Sequence, residues 1–267
     1  MKQSIPLKSI KNARELGGYT TTDGRKIKNG LLLRTAALGG ISEQDVKILT
    51  DTYNLQHIVD FRMDMEIEKG ADPEIDGAMY HHFDVIDLSS LSDNDAADFE
   101  VDTSDIIKTV EITIKSGFLN DNMYIGFLAT DKGKNAYSEF FRILINSAPD
   151  RAVLWHCTNG KDRTGLGAML ILSALGADED LIIEDYLLTN EYFADRIEST
   201  KQLLKSKGLD DDYITQALLV FDGVNKQYMI NAMTYLKKTY GSVMGYIRDG
   251  LNITEDEINS LKEKYLI

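Results

Sequence analysis

Cys157 is the chain's single cysteine, and Arg163 follows it with five residues between. The ten residues from His156 to Gly165 read His-Cys-Thr-Asn-Gly-Lys-Asp-Arg-Thr-Gly. A thiol attacks as its thiolate, and a helix N-terminus or a neighbouring cation favours that form. Arg163 supplies a permanent charge on a planar fork that matches two oxygens of a phosphate. Gly160 lets the backbone turn with positive φ and pass close to an anion. The amides of such a loop form a concave nest for a tetrahedral oxyanion. Thr164 has two readings, a hydroxyl donor to the sulfur or a helix cap. A cysteine nucleophile inside a phosphate cradle implies phosphoryl transfer through a phosphocysteine.

The other loop residues fill in around that pair. Lys161 reads as a second cation over the pocket, with a solvated surface lysine as the alternative. His156 is placed to fix the loop through a hydrogen bond to its backbone. Thr158 and Asn159 are expected to contribute mainly backbone amides.

Flanking sequence must position this loop. Ala152-Val153-Leu154-Trp155 reads as a short buried strand, and Leu166 to Leu175 as a buried helix. Strand, glycine-bearing loop and helix in that order aim a row of N–H groups and the positive end of a helix at one point. Upstream, Leu31 to Leu33, Gln56 to Phe61 and Ala78 to Val85 read as strands. Ser42, with Asp45 three residues on, starts a helix running to about Thr50. Asp60, Arg62 and Glu66 follow a strand end, where α/β sites gather. They are read as an internal ion-pair network, with bordering the pocket as the alternative. Residues 87–105 are rich in Asp and Ser and read as a surface loop, part of an insertion around 87–130. Helices are expected over Ile106–Phe118, Asn122–Leu128 and Asn135–Asn146. After Gly176 five more are expected, the last opened by a capping box of Thr254 with Glu257. The expected fold is α/β, with a mostly parallel central sheet flanked by helices, a helix-rich C-terminal half, and one domain over 1–267.

The ten-residue loop resembles the signature loop of the cysteine-dependent protein-tyrosine phosphatases. The inner Gly-Lys-Asp-Arg-Thr-Gly is similar to a bacterial branch that acts on phosphotyrosine and phosphoinositides. Four further stretches share the resemblance: Asn12–Gly18, Leu33-Arg34-Thr35, Ile58–Arg62 and Asp185–Asn190. Asn159 departs from the pattern, where a small residue such as Ala is expected. The resemblance implies that Asp162, inside the loop, is the proton donor to the leaving oxygen. The rival for Asp162 is an ion-paired aspartate that only shapes the nest. Phosphotyrosine, phosphoserine or phosphothreonine, and phosphoinositides are the implied substrates. No cofactor is implied.

Composition narrows the alternatives. The 43 acidic residues outnumber 29 basic ones, for a formal charge of −14. Such a field repels nucleic acid and anionic membranes at long range. A phosphorylated protein or phosphoinositide must then be drawn in by a local positive site. His57, His81 and His82 show no metal-ligand spacing, so no metal is expected. No apolar run approaches the ~20 residues of a membrane helix. A monomer is expected, cytoplasmic or secreted if a leader has been removed. Two other function classes fit a loop cysteine. A rhodanese-like sulfurtransferase would form a persulfide there, and a non-catalytic module would only bind phosphate. The Arg163-Thr164-Gly165 ending argues against the first.

Overall fold

A computed structural model of the chain describes residues 3–87, 106–115, 120 and 122–267. Five strands form one sheet in the order β1-β2-β5-β3-β4. They are β1 (Arg14–Glu15), β2 (Leu32–Thr35), β3 (His57–Asp60), β4 (Met79–His82) and β5 (Val153–His156). β1 pairs antiparallel with β2, and the other neighbours are parallel. β5 enters last in sequence yet lies in the middle. His156 sits level with Thr35 on one side and Asp60 on the other. The chain therefore leaves β5 at the centre of the sheet's C-terminal edge, the place where parallel α/β sheets present ligand sites.

Alternation along the central strands explains why their apolar residues run consecutively. Leu32, Val59, Val153 and Trp155 face one core, while Leu33, Ile58 and Leu154 face another. Parallel strands are covered on both sides, so both sets are apolar here, and the polar Arg34, Asp60 and His156 of β2, β3 and β5 are buried in the networks around the loop. The smaller core is closed by α1 (Glu43–Lys47) and the π-helical turn Ile48–Thr52. Ser42 caps α1 as the sequence predicts, accepting from the Asp45 amide at 3.2 Å.

The larger core is covered by helices. They are α4 (Met123–Ala129), α5 (Asp131–Asn146), α6 (Asp162–Leu175), α7 (Glu179–Tyr192), α10 (Lys226–Tyr240), α11 (Val243–Gly245) and α12 (Glu255–Tyr265). α6 is the helix that follows the loop. All of its residues except Asp162 and Ser173 are buried, which is why Leu166 to Leu175 carries no polar stripe. α12 begins with the expected capping box. α3 (Ile106–Lys115), α8 (Ala194–Ser206) and α9 (Asp211–Phe221) build a satellite cluster around Val110, Leu204, Ile214 and Ala217. Among the described residues, the short α2 (Asp64–Lys69) and α11 are elements the hydrophobic pattern did not mark. The expected loop over 87–105 lies, but for Asp87, outside the described residues. No described helix is long and apolar enough to cross a membrane.

Candidate active site

The loop from Cys157 to Lys161 runs from β5 into the first turn of α6. Gly160 has φ +64°, and a Cβ there would meet the Thr35 carbonyl oxygen at 2.1 Å. Both the left-handed turn and the close approach to β2 require glycine. From below, Asn12 Nδ2 donates to the carbonyls of Gly160 (2.9 Å) and Asn159 (3.1 Å), and Arg34 Nη2 also donates to Gly160 O at 2.9 Å. Asp185 sits between two guanidiniums, accepting from Arg14 Nε at 3.2 Å and from Arg34 Nη1 at 2.6 Å. All three side chains are buried. Burial alone would raise the Asp185 carboxyl, but the two arginines outweigh it and hold it below the usual carboxylate range. Three stretches scattered along the sequence, around Asn12, Arg34 and Asp185, thus meet as one buried network under the loop.

A second network flanks His156. Its Nε2 lies 2.8 Å from Asp72 Oδ2, and its Nδ1 lies 3.4 Å from the Cys157 carbonyl oxygen. Arg62 binds Asp60 through Nε and Nη2 and reaches Asp72 at 3.1 Å. Asp60, Asp72 and His156 bring ligand-type atoms within 4.8 Å of one another. The positive charge among them is the Arg62 guanidinium, as an internal ion-pair network requires.

Cys157 is 2% exposed. One side of it packs on the larger core, and the other lines a cavity of about 550 Å³. Thr158, Asn159, Lys161, Asp162 and Arg163 line the same cavity, as do Arg62 and Glu66. Arg163 donates Nη1 to Glu66 Oε2 (2.5 Å) and to the Phe61 carbonyl (3.2 Å), and Nη2 to Glu66 Oε1 (2.8 Å). These bonds use three of its five N–H groups. The Nε–H and one Nη2–H remain, a side-by-side pair suited to two oxygens of one anion.

Burial would raise the Glu66 carboxyl, but the Arg163 charge and hydrogen bonds from Arg163 and Thr158 hold it at about 2. A carboxyl depressed in the fold contributes stability above its ordinary value of 4.5, and that contribution is lost as pH falls toward 2. Asp162 stands in the first turn of α6, and its Oδ1 accepts from Tyr124 at 2.6 Å. A thiol, a half-used guanidinium and a carboxyl around one cavity can bind a tetrahedral anion, attack it and exchange a proton with it.

Comparison with known proteins gives the family. A model of the tyrosine phosphatase family matches residues 5–267. The chain belongs to that family. The triple specificity protein phosphatase PtpB of Mycobacterium tuberculosis is 25% identical over 256 residues, spanning 88% of this chain and 91% of that protein. A Cupriavidus necator protein provisionally named a tyrosine-protein phosphatase is 26% identical over 276 residues, spanning 99% of this chain and 89% of its own. A tyrosine-protein phosphatase of Nostoc commune is 28% identical over 122 residues, 44% of this chain and 40% of that one.

Within this member of the family, three loop side chains do what their sequence did not disclose. Lys161 is 3% exposed. It is neither a solvated lysine nor a cation projecting freely into the cavity. Its Nζ donates to the carbonyls of Leu219 (2.6 Å), Val220 (3.1 Å) and Gly223 (3.2 Å) at the C-terminal end of α9. Asn159 Nδ2 donates to the next carbonyl there, Phe221 O, at 2.9 Å. These groups are the orphan acceptors of a helix end, where a cation also meets the negative end of the helix dipole. Asn159 therefore contributes its side chain as well as its backbone, and Thr158 does too, donating its hydroxyl to Glu66. Leu219, Val220 and Phe221 form an apolar wall of the cavity, so the loop holds its own wall in place.

Replacing Lys161 by Met keeps the chain length but leaves those carbonyls unsatisfied. It is expected to lower stability by about 1–3 kcal/mol, read as a drop of several degrees in thermal unfolding. An unchanged melting temperature would mean the ammonium does not hold α9.

Asp72 and Tyr124 are the site neighbours that sequence reasoning missed. Asp72 lies in an irregular segment. Tyr124 lies in a helix whose apolar pattern read as core, and a lone tyrosine in such a run is a weak signal. Tyr186, in the stretch Asp185–Asn190, has a buried ring.

Proposed function

We propose that the chain is a phosphomonoester hydrolase working through a phosphocysteine on Cys157, with phosphotyrosine as its first substrate class. The observation that carries the reading is that Cys157, Asp162 and Arg163 line one cavity at the N-terminus of a buried helix. Two remaining Arg163 donors, the loop amides and the dipole of α6 hold the phosphate dianion. Cys157 attacks phosphorus in line, forming the S–P bond as the P–O bond to the leaving group breaks. Asp162 gives its proton to the departing oxygen. Water then attacks phosphorus, loses its proton to Asp162, and expels the cysteine as thiolate, supported by the Thr164 hydroxyl. Atoms and charge return to their starting state, so no redox partner or cofactor is required. His156, Asp60 and Arg62 support the loop.

Met63, Ile86, Met123, Leu219, Val220 and Phe221 give the cavity apolar walls, which suit an aryl ring. Lys161, tied to carbonyls, offers less to the extra phosphates of an inositol ring. Lys69 also borders the cavity and supports the phosphoinositide reading as the second one. The mycobacterial relative has triple specificity in its name. For this chain, rates on phosphotyrosine peptide, phosphoserine peptide and short-chain phosphoinositide order the classes.

The mechanism is tested by acid-quenching the enzyme during turnover of a radiolabelled phosphomonoester. Label retained covalently on Cys157 is expected, and steady hydrolysis with no labelled cysteine would end the reading. Asp162→Ala is expected to slow substrates with poor leaving groups by roughly 10²–10³-fold. Activated aryl phosphates, which leave without a proton, should slow far less. Equal losses on both would remove Asp162 from the acid role. Thiosulfate cyanolysis by the wild type would favour the sulfurtransferase class instead.

A further inference from the structure

We infer that Tyr124 is a positioning residue for the acid step: it fixes Asp162 so that Oδ2, not Oδ1, carries the exchanged proton. This rests on the reading of Asp162 given above and deepens it. Tyr124 is fully buried on α4, and its hydroxyl lies 2.6 Å from Asp162 Oδ1 and 2.6 Å from the Tyr186 hydroxyl. A hydroxyl has one proton to give. Asp162 Oδ1 has no proton to return to Tyr124 when the carboxyl is ionised, so Tyr124 donates to it. Tyr186 in turn donates to Tyr124. The result is a short ordered chain, Tyr186 to Tyr124 to Asp162, running from the core to the cavity edge.

Burial raises both phenols well above their ordinary value, followed in each by the charge of Asp162, so both stay protonated donors. The rings are also fixed. Tyr124 packs edge-on against Tyr186 and Tyr228, with centroids 6.0 and 5.8 Å apart. Tyr186 lies against Gly165 in the first turn of α6, where an added Cβ would sit 3.2 Å from its ring.

The consequence is geometric. Oδ1 accepts from Tyr124 whether Asp162 is ionised or protonated. A proton on Oδ1 would need to displace that bond and leave a buried hydroxyl without an acceptor, which is costly. The acid's proton is therefore confined to Oδ2, the oxygen that Lys161 Nζ approaches at 3.8 Å. A carboxyl with one oxygen pinned loses rotational freedom that the transfer would otherwise have to remove.

The test compares leaving-group dependence across a series of aryl and alkyl phosphates for the wild type and for Tyr124→Phe, Tyr186→Phe and Asp162→Ala. Tyr124→Phe is expected to slow poor leaving groups by roughly 10-fold and activated ones less than about twofold, within the range open to a group assisting general-acid catalysis. Vanadate affinity should stay unchanged. Tyr186→Phe should act in the same sense by roughly two- to threefold, and it keeps the inference testable if Tyr124→Phe does not fold. Adding Tyr124→Phe to Asp162→Ala should steepen the dependence no further. A purely structural role for Tyr124 would lower all rates alike. If Asp162→Ala steepens the dependence and neither tyrosine variant does, the positioning role is overturned. If Asp162→Ala itself leaves the dependence unchanged, the acid reading falls, and the tyrosine role with it.

Discussion

Cys157→Ser is expected to abolish turnover, by roughly 10⁵-fold or more, while the protein still binds phosphate or vanadate. Serine is nearly the same size and fits the same space at the bottom of the cavity. Its hydroxyl ionises far less readily than a thiol, and no histidine stands beside Cys157 as a base. His156 is engaged instead with Asp72 and the loop backbone. The anion site does not depend on sulfur, because it consists of loop amides, the α6 N-terminus and the Arg163 donors. The check is twofold: steady-state hydrolysis of p-nitrophenyl phosphate, and vanadate or phosphate affinity by calorimetry. Activity near wild type would end the covalent mechanism. Loss of both activity and anion binding would show instead that the cavity had collapsed.

Arg163→Lys is the second large effect, roughly 10²–10³-fold in kcat/KM. The substitution keeps the charge, so a result near wild type would mean that charge alone suffices. The structure argues otherwise. Two Arg163 nitrogens face Glu66, one of them also reaching the Phe61 carbonyl, which leaves Nε and one Nη2 hydrogen as a pair suited to an anion. A lysine has three donors on one atom and cannot reproduce both edges. It would either stay with Glu66 or turn to the phosphate. A half-buried carboxylate left without its fork is costly, so the variant should also unfold a few degrees earlier. Glu66→Gln is the matched control, retaining hydrogen bonding to Arg163 without the charge.

The network under the loop shows how far local sequence reaches. Asn12, Arg34 and Asp185 each lay in a stretch that resembled the family, and each was individually weak. Their meaning appears only when Arg14 and Asp185, 171 residues apart, share a buried ion pair. The central strands were placed to within a few residues because a strand covered on both faces shows as a short unbroken apolar run. β1 was not, since nothing in a two-residue strand repeats, and the helix expected to about Thr50 ends instead in a π-helical turn over Ile48–Thr52. Lys161 illustrates the limit most directly. Its type and position beside Arg163 suggested a substrate cation. Its partners are carbonyls 58 to 62 residues away, and no local pattern announces which helix end will arrive there.

The sequence by itself determined the chemistry on offer: one thiol, one arginine at fixed spacing, a glycine that permits the turn, and a strand and helix to aim the loop. These are short-range facts, set by backbone geometry and by the order of a few adjacent residues. Tertiary structure alone decided which groups hold them, with Glu66 on Arg163, the end of α9 on Lys161, and Tyr124 on Asp162. Those pairings depend on how separate elements pack, because a hydrogen bond between distant residues costs chain entropy that only the assembled core can offset.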